Sequence, residues 1–411
     1  MTPEAAPDDC PGTDIDPFSD AFLADPFPFL EELRSLGDVF FLRKYQVWGV
    51  ARHSQVTAVL QNPGVFSNAA GVGYSNLKKE EPWRAPSIIL EVDPPVHTTT
   101  RGILTRVLSP RALRELQVRF AQEAEILADR LVTAGTFDAV TDLAQAFILK
   151  VFPDSLGLPP ADRENLLTYG GITFNSLGPR NPRFDEAMRR AEEIKTWVSD
   201  NCARQALTPG GFGDKIFESA DAGLVTEDEA ALLVRSLLTA GVDTTVSAIG
   251  FAIRRFAEHP DQWELLRKNP SLIRSAFDEV VRIDSPVIGF FRTTTSETTL
   301  GTTTIPSERK VMVFFSGANR DPDRWEAPDR FDITRRTPGH TGFGAGIHGC
   351  AGQMVSRLET EALLTAFAQR VERWELSGPP TAALNNTLRA LASLPVRVHQ
   401  DAAHRAVPSP M

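Results

Sequence analysis

The sequence predicts a mainly α-helical protein with small β regions, folded as one large unit. Helical apolar spacing recurs over most of the 411 residues, one helical run is far longer than the rest, and strand-like segments are confined to two short regions. No Gly/Ser-rich or Pro-rich linker divides the chain. Residues 17–398 are therefore expected to form a single domain, with flexible segments at 1–16 and 399–411.

In chain order, the acidic, proline-rich start lacks the basic head and apolar core of a secretory leader. A helix is expected over 28–35, and 39–42 with 47–50 read as a hairpin. Helical periodicity and terminus signals then mark 53–61, 110–132, 159–167 and 184–206. The long run covers 227–258. Thr226 and Glu229 form a Thr-x-x-Glu capping box before it, and His259-Pro260 ends it. It spans roughly 50 Å at about 1.5 Å per residue. Apolar residues occur nearly all round it, at Leu232, Leu233, Val234, Leu237, Leu238 and Val242, which predicts burial through the molecule. Helices at 260–269 and 272–284 lead into a Thr-rich β region, 293–304 with 311–315, and a last helix covers 353–371.

Composition narrows the function. Cys10, Cys202 and Cys350 are too few and too scattered for a disulfide framework or a zinc site, which suits a reducing compartment. No stretch offers the roughly 18 uninterrupted apolar residues of a membrane span. A net charge of −10 argues against a general nucleic-acid-binding surface. The expectation is a cytoplasmic monomer with neither a membrane nor a nucleic acid as partner.

One thiol stands apart. Cys350 lies in Phe343-Gly344-Ala345-Gly346-Ile347-His348-Gly349-Cys350-Ala351-Gly352, a glycine-bracketed turn at the start of an expected helix. A thiolate that binds iron must be ionised at neutral pH, where a free cysteine is mostly protonated. Gly344, Gly346 and Gly349 allow backbone N–H groups to approach the sulfur and supply positive φ angles. The helix start adds partial positive charge. A buried structural cysteine is the usual reading of a lone thiol; the alternative is a haem-thiolate ligand, the ligation that promotes O–O cleavage.

The centre of the long helix breaks local rules. Ala240-Gly241-Val242-Asp243-Thr244-Thr245 contains a glycine that costs about 1 kcal/mol relative to alanine, and weak helix formers after it. Thr244 bonded to the Ala240 carbonyl would open the helix ladder into a groove for dioxygen; a harmless polar spot is the alternative. Ser236, Thr239, Ala240, Asp243 and Thr244 share one helical face, with roughly 12 Å between Ser236 and Thr244. That gap suits a single aromatic ring. Asp93-Pro94-Pro95 reads as an N-cap, placing His97 and Arg101 on one face of the following helix, as two cationic donors for haem propionates or as a solvated face.

Phe-Gly-x-Gly-x-His-x-Cys-x-Gly at 343–352 resembles the ligand signature of the cytochrome P450 family. Ala-Gly-x-Asp-Thr-Thr at 240–245 resembles its oxygen-activating segment, and His97, Arg101, Arg292 and His348 resemble its propionate contacts. Glu279-Val280-Val281-Arg282 is similar to its structural ion pair, and Ala318-Asn319-Arg320-Asp321-Pro322 with Trp325, Pro328 and Phe331 to the segment before the haem loop. These matches keep the family's order from about residue 20 to residue 397. The resemblance implies a single-domain cytochrome P450 fold with haem b between the central helix and the cysteine loop. It implies Cys350 as the iron ligand, with His97, Arg101, Ala240, Gly241, Arg292, Phe343, Gly344, His348 and Gly352 around the haem. Asp243 and Thr244 would deliver protons during oxygen activation, and electrons would come from NAD(P)H through a ferredoxin reductase and an iron–sulfur ferredoxin. Arg320, Arg324 and Arg357 are the expected basic docking surface for that partner.

Within the family the chain resembles bacterial enzymes that oxidise para-substituted benzoates, most clearly at 78–87, 233–238 and 290–292. This implies that Arg84, Ser87, Arg235 and Ser236 hold a substrate carboxylate, and that Leu90, Phe174, Val287 and Phe290 wall the ring. Arg235 sits between apolar neighbours on a buried helix, so it needs an anion or a polar partner. Leu177 departs from those enzymes, which place a second phenylalanine there, so meta or larger para groups become acceptable. The implied reaction is oxygen insertion from O2 into a small aromatic acid, with 4-methoxybenzoate losing its methyl group as formaldehyde. The rivals are action on another small aromatic or a terpenoid, a peroxygenase needing no electron partner, or a haem-binding sensor or carrier.

Overall fold

The computed structural model describes residues 10–400. The Thr226 hydroxyl accepts from the Glu229 amide while the Glu229 carboxylate accepts from the Thr226 amide at 2.8 Å, closing the capping box and starting the central helix where expected. The run then divides into Glu227–Gly241 and Asp243–Glu258, meeting at Val242 with φ −88° and ψ −73°. The first half keeps one polar face. The second is buried almost all round, from Thr245 to Ile253. Pro110–Ala134, Ala146–Leu156, Ile273–Asp284 and Gln353–Ala368 belong to the same large core. Among the described residues, Glu227–Glu258 is the one helix long and apolar enough to cross a membrane, and 67% of its most apolar window is buried inside the protein. It is a core helix.

Beside the helices lies a six-stranded sheet in the order Gly12–Thr13, Phe40–Leu42, Val47–Val50, Lys310–Phe314, Gly289–Thr294, Phe66–Ser67. Strand alternation matters most in Gly289–Thr294: Phe290 and Arg292 turn toward the central cavity, while Phe291 turns away into a cluster with Phe40 and Phe314. A buried ion pair fixes the layer beneath. Arg282 reaches both carboxylate oxygens of Glu279 at 2.7 and 2.8 Å and donates to the Asn319 and Pro328 carbonyls.

Several expected boundaries shift. The helix expected at 159–167 is Asn165–Ser176, because Asp162 takes a positive φ of 55° and the Arg163 side chain captures the Pro159 and Leu158 carbonyls. The stretch 184–206 forms Pro182–Met188, Ala191–Asn201 and a short 3-10 turn. Val371 begins a strand, paired with Pro395–Gln400, instead of ending a helix. Ala139–Leu156, with Pro153 inside it, and Phe212–Asp221 are helical without having been expected. The helix carrying His97 begins at Val96 with Pro95 as N-cap; the Asp93 carboxylate instead takes the Ser67 hydroxyl and the Asn68 amide. Residues 1–9 and 401–411 of the two expected flexible segments lie outside the described residues. Within those segments, Gly12–Thr13 pairs with Phe41 and Leu42, and His399 and Gln400 complete the last strand.

Candidate active site

A largely apolar cavity lies between the break in the central helix and the cysteine loop, and every sequence-predicted site residue except Asp243 lines it. The loop is shaped by its backbone. Gly344 and Gly346 both take φ +68°, and a Cβ on Gly346 would overlap the Leu60 carbonyl. Gly349 differs from expectation, with φ −53° and ψ 145°, a conformation open to any residue and not a left-handed turn. The Cys350 amide donates to the Phe343 carbonyl at 2.8 Å, and the helix Gln353–Ala368 begins just beyond. Burial pushes the Cys350 thiol up; the Gly352 amide, Arg101, Arg357 and the Gln353 amide pull it down. An iron ion at the sulfur would complete that stabilisation of the thiolate.

The residues present fit a haem. His97 Nε2 is buried without a protein partner, the ring nitrogens of His348 are buried with only the Ile89 backbone beside them, and the two rings are 4.3 Å apart. Arg292 is buried and donates to the carbonyl of its neighbour Phe291, and burial lowers it to about 10. Burial holds His97 down, with Arg101 beside it, and His348 at about 3, with His97 and Arg292 beside it. A cluster of donors this starved of acceptors suits the carboxylates of a dianionic cofactor. Arg101 also donates to the Gly349 carbonyl, tying this cluster to the cysteine loop.

At the helix break the Thr244 hydroxyl donates to the Ala240 carbonyl at 2.7 Å, the acceptor that an unbroken helix assigns to the Thr244 amide. Gly241 has no room for a side chain, since the Phe152 ring lies where its Cβ would be. Ser236, Thr239, Ala240 and Thr244 line the cavity as one face. Asp243 departs from it. Its carboxyl lies against Gly170 of Asn165–Ser176, in a notch that a Cβ on Gly170 would fill. Buried there with Oδ2 unpartnered, it is pushed up to about 8 by desolvation. Nothing in the sequence pattern announced Gly170.

At the far end two arginines and two serines converge. Arg84 is almost enclosed, its Nη1 bonding the Ala85 carbonyl and, at 3.3 Å, Glu91, while its Nε has no partner. Ser87 Oγ and Ser236 Oγ are 3.0 Å apart. Arg235 donates to the Ala85 and Pro86 carbonyls. Leu90, Val287 and Phe290 pack with Phe174 and Leu177 into one apolar wall between this end and the cysteine. Sequence reasoning missed other members of the lining, among them Phe152, Thr173 and Glu359, whose helix positions carry no motif.

The expected basic docking surface is only partly on the surface. Arg320 is buried, bonded to the Ile283 carbonyl and Asp329, and Arg357 is buried against Asp278 and the Phe343 ring. Both are structural because their planar guanidinium groups satisfy several acceptors at once. Arg324 is exposed.

The sequence model of the family described as "Cytochrome P450" matches residues 212–393. Over 389 residues, 94% of each chain, the protein is 50% identical to "Cytochrome p450 CYP199A2" of Rhodopseudomonas palustris. It is 31% identical to the β-dihydromenaquinone-9 omega-hydroxylase of Mycobacterium tuberculosis over 94% of this chain and 78% of that one. Among solved structures, cytochrome P450 CYP109Q5 from Chondromyces apiculatus superposes with a TM-score of 0.79 at 27% identity, covering 94% of this chain and 98% of that one.

Proposed function

From the premise that the chain belongs to the cytochrome P450 family and is a monooxygenase, we propose that its substrate is a small aromatic carboxylic acid, and that it O-demethylates or hydroxylates para-substituted benzoates such as 4-methoxybenzoate. The observation that carries this reading is the polarity of the cavity. Arg84, Ser87, Arg235 and Ser236 stand at one end, Cys350 and Thr244 at the other, and an apolar wall lies between them. A bound haem would supply the chemistry that splits O2 and inserts one oxygen atom, with electrons from NAD(P)H through a ferredoxin reductase and a small iron–sulfur ferredoxin.

The chain's own residues do the rest. Cys350 provides the thiolate, while His97, Arg101, Arg292 and His348 hold the propionates. Arg84 Nε and the Ser87 hydroxyl take the substrate carboxylate, with Ser236, whose hydroxyl donates to the Leu232 carbonyl, and Arg235 beside them, and so fix which ring carbon faces the chemistry. Phe174, Leu177, Val287 and Phe290 exclude water along the ring. Thr244 positions a hydroxyl at the helix break, and Asp243, titrating near neutral pH, supplies protons from its notch. The reading places the enzyme in the cytoplasm as a monomer that meets its ferredoxin in solution.

Titration of the ferric holoenzyme with 4-methoxybenzoate tests this, read as a shift of the main haem absorption band to shorter wavelength. A saturable shift with 4-methoxybenzoate, and binding of anisole weaker by about a hundredfold, is expected, because anisole leaves the buried donors unpaired. Equal affinity for the two ligands would remove the carboxylate anchor. Product should form only when ferredoxin, its reductase and NADH are all present.

A further inference from the structure

We propose that Glu91 is a specificity-determining residue: by pairing with one of the two arginines at the acid-binding end, it tunes that end for a singly charged acid and against a doubly charged one. The inference rests on the reading of Arg84, Ser87, Arg235 and Ser236 as the carboxylate anchor.

Glu91 does not line the cavity; it stands behind the residues that do. Its side chain is 4% exposed, and one carboxylate oxygen serves both anchors, accepting from Arg84 Nη1 at 3.3 Å and from the Ser87 amide at 2.7 Å. The turn is closed by the Glu91 amide donating to the Ser87 carbonyl at 2.9 Å. The Ser87 hydroxyl accepts from the Leu90 amide and meets Ser236 across the cavity. Arg84 and Ser87 are thus oriented from the rear by the same carboxylate.

The charges around this end are Arg84, Arg235 and Glu91. Burial lowers Arg235 and the Arg84 charge adds to it, with Tyr169, Cys202 and Glu91 acting the other way, so the three charges lie within one another's field. Lys310 also feels Glu91, but its ammonium is committed to the Ala70, Gly71 and Gly73 carbonyls. Two cations and one anion leave a single positive charge for a ligand to neutralise. A monocarboxylate does so and finds Arg84 Nε without a protein partner and the Ser87 hydroxyl beside it, whereas the Ser236 hydroxyl already donates to the Leu232 carbonyl at 2.8 Å. A second ligand charge would face the buried Glu91 carboxylate with no further cation to pair it.

The test is binding of 4-methoxybenzoate and of 4-methoxyphenylphosphonate to the holoenzyme, by haem-band shift and by calorimetry, in wild type, Glu91→Gln and Glu91→Asp. Glutamine keeps an acceptor for the Ser87 amide and removes the charge. Wild type should bind the phosphonate progressively more weakly as pH rises through its second ionisation, with the benzoate as the reference for every other pH effect. In Glu91→Gln the preference for carboxylate over phosphonate dianion should fall by about tenfold or more, and Glu91→Asp should retain it. An unchanged preference in Glu91→Gln overturns the inference. Should that variant fail to fold, the wild-type series decides: a phosphonate that tracks the benzoate across its second ionisation also overturns it. If neither acid moves the wild-type band, the acid-binding reading itself falls, and the inference with it.

Discussion

The two ends of the cavity are built on opposite principles. At the cysteine end the backbone does the shaping: two glycines at φ +68°, an amide-to-carbonyl bond from Cys350 to Phe343 and a helix start, nearly all within ten consecutive residues. At the acid end the side chains do it, with Arg84, Ser87 and Glu91 from one loop meeting Arg235 and Ser236 from the central helix. A site made of backbone tolerates little change in conformation. One made of side chains can be retuned one residue at a time, so its chemistry is where relatives of the same fold diverge.

Substitution should separate the ends. Cys350→Ala is expected to lower turnover by about a thousandfold or more with the chain still folded, measured as product formed with the full electron chain; retained turnover would show that the thiolate is not the essential ligand. Arg84→Ala should leave the haem spectrum intact and weaken 4-methoxybenzoate binding by about a hundredfold, part of that loss coming from Glu91 left buried and unpaired. A comparable loss of haem in Arg84→Ala would mean that the two ends are not independent.

Asp243, off the cavity in its notch against Gly170, gives a pH signature. Its folded value of about 8 exceeds the usual carboxylate range, so the folded state holds a proton that the unfolded chain releases from about pH 4 upward. The associated stability is full below about pH 4 and is lost as pH rises through about 8, by at most about 1.4 kcal/mol per pH unit. Asp243→Asn should flatten that decline in thermal unfolding followed across pH. Gly170→Ala should force the carboxyl out of its notch toward solvent, lower its pKa and move the pH profile of product formed per electron to lower pH. An unmoved profile would mean that the notch does not set the acid's environment. The smallest effect belongs to the wall. Leu177→Phe should narrow the cavity and lower affinity for meta-substituted benzoates severalfold while barely changing 4-methoxybenzoate, measured by titration.

Legibility followed the same division. The cysteine loop and the capping box at Thr226 were readable because each is a local pattern whose geometry follows from spacing along one turn, whereas the Glu279–Arg282 pair was expected only through the family resemblance, since such i,i+3 pairs are common on any helix. Asp243 was expected on the cavity face because helical periodicity puts it there. Its carboxyl instead occupies a notch on another helix, and only Gly170, 73 positions earlier in the numbering, makes that possible. Arg320 and Arg357 looked like surface charges because arginine usually is one; packing against Asp329, Asp278 and Phe343 decided otherwise.

By itself the sequence determined the helical class, the family, the central helix with its weak point and the glycine-bracketed cysteine loop, all of them properties of short contiguous segments. Tertiary structure alone decided which way Asp243 points and that Glu91 stands behind Arg84. Those depend on groups brought together across long loops, where close packing and the cost of burying an unpaired charge select one arrangement from many that the local sequence allows.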